Sequence, residues 1–253
     1  MTTSFPFDIG PQPDNTTCGP TCLHAVYRYF DDPIGLASII ADVPTLDGGG
    51  TLSVYLANHA LRRGYRTTIF PYNLQIFDPT WADAAPGDIA GKLRRQRTLK
   101  PDLPEIDRLT DAYLDYLQLG GRLKFKVLTV ALIRHYLKRG IPIMTGLSAT
   151  YLYNTPREYD VDDQVVYDDV RGESVGHFVV LAGYNRDTRR ALVADPFLSN
   201  PMADGQHYSV DIDRLVCAIM LGILTHDGDL LIIQPPKTKK KGVLACTSRF
   251  TER

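Results

Sequence analysis

Four residues of this 253-residue chain have types and offsets suited to a single reaction: Gln12, Cys18, His177 and Asp195. A thiol is a poor nucleophile until it ionises, and the N-terminus of a helix favours the thiolate through its partial positive charge and free N–H groups. Cys18 begins the run Cys18-Gly19-Pro20, in which Pro20 suits a first helical turn and Gly19 allows a close approach to the backbone. Gln12 lies six residues upstream, at the head of the turn-forming stretch Gln12 to Thr17. Its side-chain amide is of the kind that stabilises the oxyanion formed in acyl transfer. His177 stands at the mouth of the apolar run Phe178 to Tyr184, where a strand holds it rigidly against a cleft. Asp195 ends a second run, Ala191 to Ala194, and a hairpin through residues 184–188 brings it beside His177. There the carboxylate is expected to accept the imidazole Nδ1–H and fix the tautomer. The implied chemistry is thiolate attack on a carbonyl, protonation of the leaving group by the imidazolium, and hydrolysis of the thioester by water.

The remaining candidates have plainer readings. His24, His59 and His135 fall inside helices and read as structural, while His207 and His226 read as turn residues. Cys22 reads as core, and Cys217 and Cys246 have no visible partner. Four cysteines are too few for a disulfide framework, and Cys18 and Cys22 are one helical turn apart, a poor spacing for a bridge. With no Cys-x-x-Cys or His-x-x-x-His pair to anchor zinc, no metal and no cofactor is expected.

The elements that must position these groups follow from periodicity. Cys22, Ala25, Val26, Tyr29 and Phe30 recur at helical spacing, so a buried helix runs from Cys18 to Phe30 and ends at Asp32-Pro33. Helices are also predicted over Ile34 to Val43, Thr51 to Arg63, Thr129 to Arg139 and Ile212 to Leu224. Asp78 to Leu119 reads as an inserted helical block. Strands are predicted at Tyr65 to Tyr72, Arg122 to Val127, Ile141 to Leu147, His177 to Tyr184, Ala191 to Ala194 and Asp229 to Gln234. Helices first and antiparallel strands afterwards is an α+β layout.

Apolar residues make up 44% and charged residues 23%, a globular balance that fits one domain over residues 1–236. Six cations from Lys237 to Arg253 stand against Glu252, so a solvated basic tail of charge +5 follows a body of −6. That body argues against a nucleic-acid surface. The most apolar stretches are too short to span a bilayer, and Met1 to Gly10 lacks the pattern of a secretory signal, so a cytoplasmic location is expected. The segment Glu158 to Glu173 holds seven acidic residues, and with Tyr151, Tyr153, Tyr159 and Tyr167 it reads as a flap favouring cationic substrates.

Three motifs together, Gln12…Thr17-Cys18-Gly19-Pro20-Thr21-Cys22-Leu23, Gly176-His177-Phe178-Val179-Val180-Leu181-Ala182-Gly183-Tyr184 and Val193-Ala194-Asp195-Pro196, resemble the C39-like branch of the papain-like cysteine peptidases. The resemblance implies a papain-like fold, a peptide or protein substrate, and Gln12, Cys18, His177 and Asp195 as oxyanion donor, nucleophile, base and orienting acid. Unlike the best-known members, this chain shows no membrane or ATP-binding segment, and its Cys-to-His interval is longer. Two other readings use the same residues: an acyltransferase in which an amine intercepts the thioester, and a non-catalytic module that only holds peptide.

Overall fold

A computed structural model describes residues 2–161, 164–225 and 228–236. Asp162, Asp163, His226 and the basic tail, with Cys246, lie outside the described residues. The sheet that organises the rest is β1 (Thr2–Ser4), β2 (Arg66–Pro71), β3 (Arg122–Leu123), β4 (Ile143–Ser148), β7 (Gly176–Asn185), β8 (Arg190–Ala194), β9 (His207–Asp211) and β10 (Asp229–Gln234). Its order is β3-β2-β10-β4-β7-β8-β9, with β1 added to β7. Only the β2–β3 pair is parallel among the described strands. A separate hairpin joins β5 (Glu158–Val161) and β6 (Gln164–Tyr167).

The unbroken apolar run of β7 exists because both its faces are covered. Val180 and Ala182 enter a core shared with α1 (Cys18–Tyr29) and α3 (Ser53–Arg62), while Val179 and Leu181 enter a second core under α6 (Val130–Leu137) and α8 (Ile212–Leu221). Leu231 and Ile233 against Leu230 and Ile232 divide β10 in the same way. The last strand among the described residues is therefore a central strand of the sheet, between β2 and β4.

The α+β class is as expected, and the layering is finer than two halves. Helices cover both sheet faces, and β2 and β3 come from the helix-rich first half. The block from Asp78 to Leu119 is helical: a 3₁₀ turn (Pro79–Asp83), α4 (Pro86–Leu99) and α5 (Pro104–Gln118). Its buried Trp81, Leu93, Ile106, Tyr113 and Tyr116 join the same core as α1 and α3. The second predicted helix is α2 (Leu36–Asp42).

Three elements depart from the sequence expectations. His207 opens β9 rather than lying in a turn, with Nε2 hydrogen-bonded to the Phe7 carbonyl at 2.8 Å. A five-residue helix, α7 (Ala149–Tyr153), follows β4, capped by the Ser148 hydroxyl, which accepts from Tyr151 N–H at 3.2 Å. The strand predicted from Arg122 to Val127 shrinks to two residues at the sheet edge, where only Arg122 and Leu123 pair with β2.

Candidate active site

Cys18 is the first residue of α1 and is 6% exposed. The loop before it is shaped by Asp14, whose Oδ1 accepts the Thr16 N–H and hydroxyl, both at 2.8 Å. Gly19 is required by packing rather than by access to a ligand: a Cβ there would stand 2.6 Å from the Thr51 methyl and 3.3 Å from the Phe178 ring. Close packing of the helix start on β7 thus fixes the position of the thiol.

The β7–β8 hairpin forms as the sequence suggests, pairing Val180 with Ala194 at its open end. Continued by one residue, that register sets Asp195 opposite Val179, hence diagonal to His177 on the same face. The side chains meet there, with His177 Nε2 2.8 Å from Asp195 Oδ1. The ring orientation differs from the sequence expectation. Nε2, not Nδ1, faces the carboxylate, and Cys18 acts electrostatically on the same ring.

Asp195 is completely buried and accepts four hydrogen bonds. Oδ1 takes His177 and the Phe197 N–H (2.9 Å), while Oδ2 takes the Tyr153 and Tyr208 hydroxyls at 2.7 and 2.8 Å. Sequence reasoning missed both phenols as site residues. The sequence groups Tyr153 with the acidic flap, but its hydroxyl points inward. Tyr208 had a readable signal, because β9 alternates buried Tyr208 and Val210 with exposed Ser209 and Asp211.

Electrostatics arrange these groups as a charged set. Burial alone would raise the Cys18 thiol, but the hydrogen bond and charge of His177, with the N–H groups of Phe178 and Gly19, hold it below the usual value. Burial likewise opposes charging His177, yet Asp195 and Cys18 push it up to about 10. Asp195 stays below the carboxylate range although burial acts to raise it, because His177, the Phe197 N–H and Tyr153 favour the anion. One turn along α1, Cys22 is driven the opposite way: burial, then the charges of Cys18 and Asp195, raise its thiol far above normal. It donates to the Phe178 carbonyl at 3.3 Å and is core, as expected.

Gln12 is tied to the other side of this set, its N–H donating to the Pro196 carbonyl at 2.9 Å. Its Nε2 donates to the Asp14 carbonyl at 2.7 Å, and Oε1 is buried without a partner. The amide is thus engaged with its own loop rather than hydrogen-bonded to Cys18. His59 is structural, its Nδ1 2.8 Å from the Tyr27 hydroxyl.

Cys18 and His177 open onto a cleft of about 550 Å³. One wall is residues 46–51 with Arg108 from α5, and the other is residues 173–178 with Leu224 and Thr225. The model of the Peptidase_C39 like family matches residues 6–211, a span that holds Gln12, Cys18, Tyr153, His177, Asp195 and Tyr208. The chain belongs to the Peptidase_C39 like family. Solved structures similar to this C39-like chain include the peptidase domain of Streptococcus ComA, a bi-functional ABC transporter involved in a quorum sensing pathway, at 12% identity and a TM-score of 0.42, covering 91% of this chain and 99% of that one. A C39-like peptidase from Bacillus anthracis is similar at 11% identity and TM-score 0.47, over 94% and 100% of the two chains. Xylellain, a cysteine protease from Xylella fastidiosa, is similar at 13% identity and TM-score 0.44, over 92% and 85%. No curated protein matches the C39-like chain.

Proposed function

We propose that this member of the C39-like family is a cysteine peptidase that hydrolyses peptide or isopeptide bonds through Cys18, His177 and Asp195. One observation carries the reading: a buried thiol and an imidazole held by a buried carboxylate line the same cleft, and the imidazole holds the thiol below its usual pKa. The Cys18 thiolate attacks the scissile carbonyl, and the C=O electron pair moves to oxygen. The Cys18 N–H and the Gln12 amide receive that oxyanion, the latter after leaving Asp14; removing one such donor costs roughly 100-fold or more in kcat. His177 delivers its proton to the leaving amine as the C–N bond breaks. Water, losing a proton to His177, then cleaves the thioester and restores the thiol pair.

The acidic segment borders this cleft. Its ends are joined by Glu158 and Glu173, each donating its N–H to the other's carbonyl at 3.1 and 2.7 Å, and Glu173 lines the cleft wall. On this reading the segment favours cationic substrates, so Glu173→Lys lowers kcat/KM for basic peptides relative to acidic ones. An unchanged ratio removes the preference.

The test of the main reading is turnover of a fluorogenic peptide library with mass mapping of a peptidyl electrophile. The wild type cleaves peptides and is labelled on Cys18, and Cys18→Ala loses both. Cleavage that survives in Cys18→Ala sinks the proposal.

A further inference from the structure

The geometry points to Tyr153 and Tyr208 as positioning residues that hold Asp195, and through it His177, by donating two hydrogen bonds to the carboxylate oxygen that His177 does not use. The inference rests on the reading of Cys18, His177 and Asp195 given above, and assigns work to two side chains outside that set.

A buried carboxylate is costly unless its lone pairs are filled, and two oxygens offer about four acceptor sites. Here all four are taken. A carboxylate held on one oxygen could turn about its terminal torsion and release the imidazole; with donors on both, rotation breaks two bonds at once. The donors also lie on independent elements. Tyr208 is fixed by the β8–β9 register, opposite Val193. Tyr153 ends α7, a helix too short to hold itself. Arg214 of α8 supplies the anchor: its Nε donates to the Leu152 carbonyl at 3.0 Å, its Nη2 to the Tyr151 carbonyl at 2.6 Å, and its guanidinium lies 5.2 Å from the Tyr151 ring centroid. Burial first, then the charge of Asp195, raises both phenols well above their usual range, so each keeps its proton and can only donate to the anion. Phenylalanine at either position would keep the ring and remove only the hydroxyl that reaches Asp195, so the substitution isolates that hydrogen bond.

The test is the pH dependence of Cys18 alkylation by iodoacetamide in the wild type, Tyr153→Phe, Tyr208→Phe and the double variant, with thermal unfolding as the check on folding. Each lost hydrogen bond to a charged group moves the acid limb upward by about one pH unit, because protonation of Asp195 then competes with the ion pair. kcat for a cleaved peptide falls by roughly 10-fold in each single variant with KM nearly constant, since neither phenol touches substrate. Either single variant suffices if the other does not fold. Profiles and kcat that match the wild type, in a folded variant, overturn the inference and leave the proposed peptidase intact. A wild type that already shows an ordinary thiol profile removes the peptidase reading, and this inference with it.

Discussion

Asp195 and Asp229 are both buried carboxyls at strand ends, and their pKa values are shifted in opposite directions. Asp195 faces an imidazole, two phenols and a backbone N–H, and is kept ionised. Asp229 opens β10, where its Oδ1 accepts the Ser53 hydroxyl at 2.8 Å and no cation stands against it among the described residues. Burial therefore pushes it up to about 7. Depth does not decide the charge of a buried acid; its partners do. The two thiols of α1 repeat the lesson, since Cys18 has His177 and Cys22 has only a carbonyl.

The strongest way to break the comparison is Asp195→Asn. An amide can still accept from His177, but it also brings donors to a place already filled by phenol hydroxyls and removes the negative charge. kcat falls by about 10,000-fold, as when the acid of a comparable triad is neutralised, which steady-state turnover on the best library peptide measures. A loss under tenfold would mean that Asp195 is not what charges His177.

Asp229→Asn should act in the other direction. The folded pKa of Asp229, about 7, lies above the 3.8 of the free acid, so the folded state binds the extra proton between those values. The penalty is absent below about pH 4, grows as pH rises through that window, and is complete above about pH 7, where it reaches at most about 4 kcal/mol. Replacing the acid removes it, so urea unfolding of the variant shows higher stability than wild type at pH 8 and little difference at pH 4. Equal curves at both values would mean that Asp229 titrates normally. Asp195 has the reverse sign: its lowered pKa contributes stability that is present above the usual carboxylate range and lost on acidification.

The smallest effect is expected at Cys22. Cys22→Ala removes a buried sulfur and a weak hydrogen bond, costing about 1 kcal/mol in thermal unfolding. Cys18 labelling is unchanged, which mass mapping of the alkylated chain checks.

Much of this site was legible because the residues that carry chemistry sit at the ends of strongly patterned elements. The helical stripe after Cys18 and the two apolar runs bounded by His177 and Asp195 fix three positions by local rules alone. What was not legible depends on tertiary contact. Tyr153 ends a helix too short to show a period, and only Arg214, some sixty residues later, explains why it is held. Which ring nitrogen of His177 meets Asp195 is set by tertiary contact, which no single motif encodes. The covering of the second sheet face by α6 and α8 was missed for a related reason: a strand with an unbroken apolar run shows that both faces are buried without saying by what.

The most direct measurement of the central claim is the charge state of His177 across the pH range, read from the imidazole ¹⁵N shifts of specifically labelled protein. Both nitrogens should report an imidazolium through neutral pH, and Cys18→Ala should lower the pH at which that charge is lost. A ring that titrates near 6.5 in the wild type, indifferent to Cys18, would contradict the ion pair on which the account stands.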